Sequence, residues 1–116
     1  MRHLESRIQR AWHEWFVRQY SQDARLGFAV GNGGARSKIE AAIMKGEGVT
    51  AGVADVLITI PRGGYGCLAL EFKTAKGRQS QSQKEWQADF ERVGNKYAIV
   101  RSLEEAVSVT RNYMNL

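Results

Sequence analysis

The sequence has 116 residues, 43% of them apolar and 25% charged, with a net charge of +5. That length suits a single domain over 1–116 that buries its own core, and the basic balance favours polyanions, phosphate backbones first. One cysteine excludes a disulfide framework, two histidines without cysteine partners exclude a structural zinc site, and no apolar run approaches the ~20 residues of a membrane span.

The first ten residues are polar and charged, without the apolar stretch of a signal peptide, so a cytoplasmic location is expected. Leu4, Ile8, Trp12, Trp15, Phe16 and Gln19 recur at close to helical spacing and predict an amphipathic helix over about 2–21. Leu26 to Val30 predicts a short strand ending in a turn at Gly31-Asn32-Gly33-Gly34. This Gly-rich turn lacks the Lys-Ser/Thr of a P-loop and reads as a connection. Ser37 to Met44 suits a short helix, followed by a loop marked by Gly46, Gly48 and Gly52.

Val53 to Ile60 and Cys67 to Lys73 predict two strands, with Cys67 itself a small apolar strand residue. The short connection, Pro61 to Gly66, makes them an antiparallel hairpin. Ser82 to Val93 predicts a helix with Trp86, Phe90 and Val93 inward, capped by Ser82 with Glu85 or equally by Ser80 with Gln83. Tyr97 to Val100 predicts a strand, and Ser102 with Glu105 caps a last helix carrying Leu103, Ala106, Val107, Thr110, Tyr113 and Met114 inward. The strand–helix–strand passage from Cys67 to Val100 favours a parallel pairing. The sum is a mixed sheet flanked by helices, an α/β domain.

Side chains alternate along a strand. Leu68, Leu70 and Phe72 therefore share one face, and Cys67, Ala69, Glu71 and Lys73 the other. A hairpin pairing symmetrically about Gly63 sets Asp55 opposite position 71, to within about two residues. Two carboxylates and a lysine thus gather at one end of the hairpin. An ion pair of Lys73 with Asp55 or Glu71 on a solvated sheet face accounts for this equally well. Paired carboxylates also suit Mg²⁺, which takes oxygen ligands. With a lysine to stabilise developing negative charge, they are the parts needed to hydrolyse a phosphodiester.

Two further residues can reach this place. Gln83 lies three before Trp86 and reads either as a partner of Lys73, a carboxylate or a water, or as a helix-cap residue. Glu5, beside Leu4 and Ile8 on the edge of the first helix's buried face, reads either as a third carboxylate or as a solvated acid. Arg36, Lys38 and Lys45 before the Asp55 strand, and Arg62, Lys76, Arg78 and Lys84 around the Glu71 strand, could flank one site.

Asp55, fifteen intervening residues and Glu71-Phe72-Lys73 resemble the D…ExK core of the PD-(D/E)xK nuclease superfamily. Gly52-Val53-Ala54-Asp55-Val56, Leu70-Glu71-Phe72-Lys73, Gln83 ten residues past the lysine, Glu5-Ser6-Arg7-Ile8-Gln9 and Tyr97-Ala98-Ile99-Val100 are similar to the VRR-NUC family, the virus-type replication-repair nucleases. Ala54 stands where the superfamily name has proline. The resemblance covers about Glu5 to Glu105 and implies a restriction-endonuclease-like fold. It implies a Mg²⁺- or Mn²⁺-dependent endonuclease with Asp55, Glu71 and Glu5 as metal ligands, Lys73 as catalytic lysine and Gln83 completing the site. Members of this size resemble phage or bacterial enzymes, homodimers acting on branched DNA such as four-way junctions. A DNA-binding module without catalysis, a flap- or end-processing nuclease, and an interaction domain with a purely structural charge cluster are the other readings.

Overall fold

A computed structural model describes residues 2–31 and 37–116. The element order is α1 (Arg2–Gln19), a 3₁₀ helix (Ser21–Leu26), β1 (Gly27–Ala29), α2 (Lys38–Gly46), β2 (Val56–Ile58), β3 (Leu68–Phe72), α3 (Gln81–Arg92), β4 (Lys96–Val100) and α4 (Leu103–Met114). The strands form one sheet in the order β1-β2-β3-β4, antiparallel between the first three and parallel between β3 and β4.

The alternation of apolar side chains sorts the two faces. Val56, Ile58, Leu68, Leu70, Phe72 and Val100 pack against Trp12 and Phe16 of α1 and Ala106, Tyr113 and Met114 of α4. Trp12 anchors the two helices to each other, its Nε1 donating to Thr110 Oγ1 at 2.9 Å. On the opposite face Ala69, Tyr97 and Ala54 meet Trp86 and Phe90 of α3. The small residues on this second face let α3 approach the sheet beside Glu71. Among the described residues no helix is long and apolar enough to cross a membrane.

The hairpin between β2 and β3 turns at Gly63 and Gly64, both with positive φ, as a two-residue type I′ turn requires. Arg62 and Tyr65 exchange both backbone hydrogen bonds across it. The ladder pairs Val56 with Leu70, so one further step sets Asp55 beside Glu71. The ladder stops at Val56, three residues short of the expected start, because the Asp55 side chain replaces a strand carbonyl: its Oδ2 accepts from Phe72 N–H at 2.7 Å.

Other boundaries differ from expectation for local reasons. The helix α3 starts at Gln81 with Ser80 as its cap, the Ser80–Gln83 box being closed in both directions, and not with Ser82. Val93 is 65% exposed because it is already the C-cap, with Gly94 at φ 100° turning the chain toward β4. Leu4 and Leu103, both near helix starts, are also exposed. Ser102 caps α4 by accepting from Glu105 N–H, but Glu105 accepts from Arg101 N–H and so does not close the reciprocal box. The expected turn at 31–34 falls, beyond Gly31, outside the described residues, as does Arg36.

Candidate active site

The end of the β2–β3 hairpin carries Asp55, Glu71 and Lys73, and α3 brings Gln83 over them. Glu71 is only 2% exposed. Both of its oxygens are held: Oε2 accepts from Gln83 Nε2 at 2.9 Å and lies 3.6 Å from Lys73 Nζ, while Oε1 accepts from Tyr97 Oη at 3.3 Å. Lys73 Nζ donates to Gln83 Oε1 at 2.9 Å. The same oxygen accepts from Ser80 N–H at 2.9 Å. Gln83 is therefore the helix cap and the bridge between lysine and glutamate at once. The two readings open in the sequence are both realised, because the cap geometry aims the amide at the strand.

The electrostatics oppose two negative charges here. Burial, followed by the charge of Asp55, pushes the Glu71 carboxyl from an ordinary 4.5 up to about 7, against the pull of Lys73. Burial also raises Asp55, offset in part by the Phe72 N–H bond, with Glu5 adding a further upward push. Burial and the neighbouring Glu71 raise the Tyr97 phenol in turn. Two partly dehydrated carboxylates side by side favour a bound cation or a shared proton. Their hard oxygen donors fit a magnesium-like ion, so Asp55 and Glu71 fit the group that the sequence implies.

Glu5 is half-buried and near enough for its charge to act on Asp55. Among the described residues, however, no three acidic, histidine or cysteine side chains gather as a metal-holding group, so Glu5 stands apart from the carboxylate pair. The basic residues divide. Lys76, Arg78 and Lys84 are exposed on the β3–α3 connection and the first turn of α3, at the site end. Arg62 lies at the other end of β3, in the hairpin turn away from Asp55 and Glu71, where its guanidinium donates to Met114 O and Pro61 O. Lys38 and Lys45 are exposed on α2.

Several contributors escaped the sequence reading. Arg101 donates to Thr74 O and Gly77 O, both at 2.7 Å, and so ties down the turn that follows Lys73. Gln79 Nε2 donates to Tyr97 Oη at 3.2 Å and to Gln87 Oε1 at 2.7 Å, fixing the phenol beside Glu71. No spacing rule announces either contact, since their partners are 18 to 27 residues away apart from Gln87. Gly52 has φ 84°, and a Cβ there would collide with the Ser82 carbonyl and come within 2.9 Å of Gln83 N. This glycine lets the approach to Asp55 touch the first turn of α3. Gly52→Ala is expected to cost about 1–3 kcal/mol in backbone strain alone, and to displace Gln83. A urea melt checks the first effect. Loss of Gln83 protection in amide exchange checks the second.

The whole chain has a close match among solved structures. A structure described as a VRR_NUC domain protein superposes with a TM-score of 0.84 at 26% identity, over 97% of this chain and 88% of that one. The chain thus resembles a VRR-NUC domain in both fold and sequence. No family model matches the sequence, and no curated protein matches it. The VRR-NUC relationship carries the restriction-endonuclease-like fold, a mixed sheet flanked by helices, as the sequence implied. It is a nuclease-type fold.

Proposed function

We propose that the protein is a metal-dependent DNA endonuclease that hydrolyses phosphodiester bonds, selects branched DNA such as four-way junctions, and works as a homodimer. The observation that carries this reading is Glu71 held between Lys73, Gln83 and Tyr97 with Asp55 alongside, on a VRR-NUC fold.

A Mg²⁺ or Mn²⁺ ion held by Asp55 and Glu71, with Glu5 the third carboxylate in reach by a side-chain movement, would supply charge neutralisation at the phosphate and a more acidic water. The chain's own residues do the rest. Phe72 N–H fixes the Asp55 carboxylate, and Gln83 and Tyr97 fix that of Glu71, so neither has to reorganise. Lys73, its side chain 13% exposed, presents an ammonium that stabilises negative charge building on the phosphate or orients the attacking water. Gln83 accepts a hydrogen bond from one of the three Lys73 N–H groups and Glu71 Oε2 lies 3.6 Å from the same nitrogen, which leaves at least one N–H for substrate. Removing the Tyr97 hydroxyl frees one oxygen of Glu71. Tyr97→Phe should raise the Mn²⁺ concentration needed for half-saturation by about tenfold, read by Mn²⁺ titration with electron paramagnetic resonance.

Homodimerisation draws support from α2. Ile39 and Ile43, one turn apart, are 75% and 56% exposed, and no residue of α2 is buried. Such a face is costly to leave in water. Ile39→Glu with Ile43→Glu should convert a dimer to a monomer in light scattering without lowering the melting temperature. A wild-type mass of 13.0 kDa in solution would remove the dimer from this reading. A two-fold dimer predicts paired symmetric cuts in a four-way junction. Cuts mapping instead to a flap or a free end would keep the chemistry and replace the substrate.

A further inference from the structure

The chain that leaves β3 carries charge of one sign. Between Glu71 and Glu85 it holds Lys73, Lys76, Arg78 and Lys84 and no acidic residue. Lys76 sits at the tip of a tight turn, closed by Gly77 N–H donating to Thr74 O at 3.1 Å. Arg101, directly after β4, rivets both ends of that turn, its Nη1 donating to Thr74 O and to Gly77 O at 2.7 Å each. The backbone N–H of Arg101 is itself held by Glu105 Oε1 of α4 at 2.6 Å. Lys76 and Arg78 are exposed, and among the described residues neither side chain has a hydrogen bond or an ion pair within the protein.

Contact ties the turn to the site. Gly77 lies against Lys73: a Cβ built on it would meet Lys73 Cβ at 3.5 Å and Thr74 Oγ1 at 3.3 Å. The tip residue Lys76 is at most about 11 Å of chain from Lys73. The carboxylates of Asp55 and Glu71 repel a phosphodiester, and fixed cations beside them offset that repulsion. A loose loop would have to be ordered by the substrate, at an entropic cost for each residue. A turn pinned at both ends is ordered already on folding. Phosphate is the partner that fits two solvated cations, which offer charge and N–H donors and no surface that reads a base.

We propose that this turn grips the substrate backbone, Lys76 and Arg78 each meeting a phosphate beside the one at Lys73, with Arg101 as the positioning residue that holds them there. The proposal rests on the nuclease reading and deepens it. Contacts to phosphates fix the register of a strand without reading its sequence. Lys73 then acts on the phosphate being cut, and the turn holds its neighbours.

The test measures the Kd for a labelled four-way junction by anisotropy, in Ca²⁺ in place of Mg²⁺, over roughly 50–200 mM salt. Lys76→Gln and Arg78→Gln should each lower the slope of log Kd against log salt by about 1, and the double variant by about 2. Lys96→Gln, at the opposite end of β3 beside Leu68, should leave the slope as it is. Arg101→Met should weaken binding about fivefold or more in the natural protein, and less than about twofold in the Lys76→Gln, Arg78→Gln background, because it acts through those two residues. A general loss of structure would weaken binding equally in both. Slopes unmoved by Lys76→Gln and Arg78→Gln, or lowered as much by Lys96→Gln, overturn the grip. An Arg101→Met effect of equal size in both backgrounds overturns its positioning role. Metal-dependent cutting with unmoved slopes removes this inference alone, whereas no binding of the natural protein to any DNA overturns the nuclease reading first, and this inference with it.

Discussion

Lys73→Ala is expected to lower the rate of metal-dependent DNA cleavage by about 10³-fold, with DNA affinity reduced far less. Lys73 Nζ is held at 2.9 Å by Gln83 Oε1 and at 3.6 Å from Glu71 Oε2, so its position is fixed before substrate arrives. Its charge is worth most when the phosphate gains negative charge, in a site where Glu71 is almost wholly shielded from water. Lys73→Arg should not restore the rate, because a planar guanidinium cannot sit where a compact ammonium meets one amide oxygen. Asp55→Asn should lose activity to a similar degree while keeping a hydrogen-bond acceptor for Phe72 N–H. Single-turnover rates on a labelled junction measure all three variants. Full activity in Lys73→Ala would remove this residue from the chemistry.

The second large effect has the opposite sign. In EDTA at pH 8, Glu71→Gln should be more stable than the natural protein, not less. The folded state holds the Glu71 carboxyl at about 7 against an ordinary 4.5, with burial the main cause and Asp55 the next. Between those values the folded protein binds more protons than the unfolded chain, so stability falls as pH rises. The contribution is complete below about 4.5, is lost through about 7 and stays lost above it. The resulting cost at pH 8 is on the order of 3 kcal/mol, or roughly 10 °C in melting temperature for a domain of this size. Glutamine keeps the shape and carries no charge. The gain in Glu71→Gln should therefore vanish at pH 4 and reverse in millimolar Mg²⁺, where the carboxylate is the better ligand. A lower melting temperature for the variant in EDTA at pH 8 would instead make Glu71 a structural member of an ion pair with Lys73.

Much of this site was readable because strand chemistry is periodic. The two-residue alternation separated Leu70 and Phe72 from Glu71 and Lys73, and the short turn set the register that places Asp55 by Glu71. The helices α1 and α4 followed from apolar stripes, with Trp12, Phe16 and Tyr113 buried as expected. Cap position was less legible. Ser80 and Ser82 are two residues apart, and only the fit of Gln83 onto Lys73 and Glu71 selects the first. The basic loop residues were misjoined at Arg62, since charge in a sequence does not say at which end of a strand it falls. Arg101, Gln79 and the tight approach of Gly52 to α3 depend on tertiary contact and leave no local trace. Glu5 came close to the carboxylate pair without joining it, because it hangs from a helix near the start of the chain and no hydrogen bond to the sheet is formed by it among the described residues.

The claim at the centre is that Asp55, Glu71 and Lys73 form a metal-dependent phosphodiesterase site. The most direct test incubates the protein with labelled four-way junction, flap, single-stranded and linear duplex DNA in Mg²⁺, Mn²⁺ or EDTA, with Lys73→Ala alongside. Paired cuts in the junction, present with either metal and absent in EDTA and in the variant, are the predicted result. Tight DNA binding with no cut in any substrate under either metal would contradict it, and would make the protein a binding module on a nuclease fold.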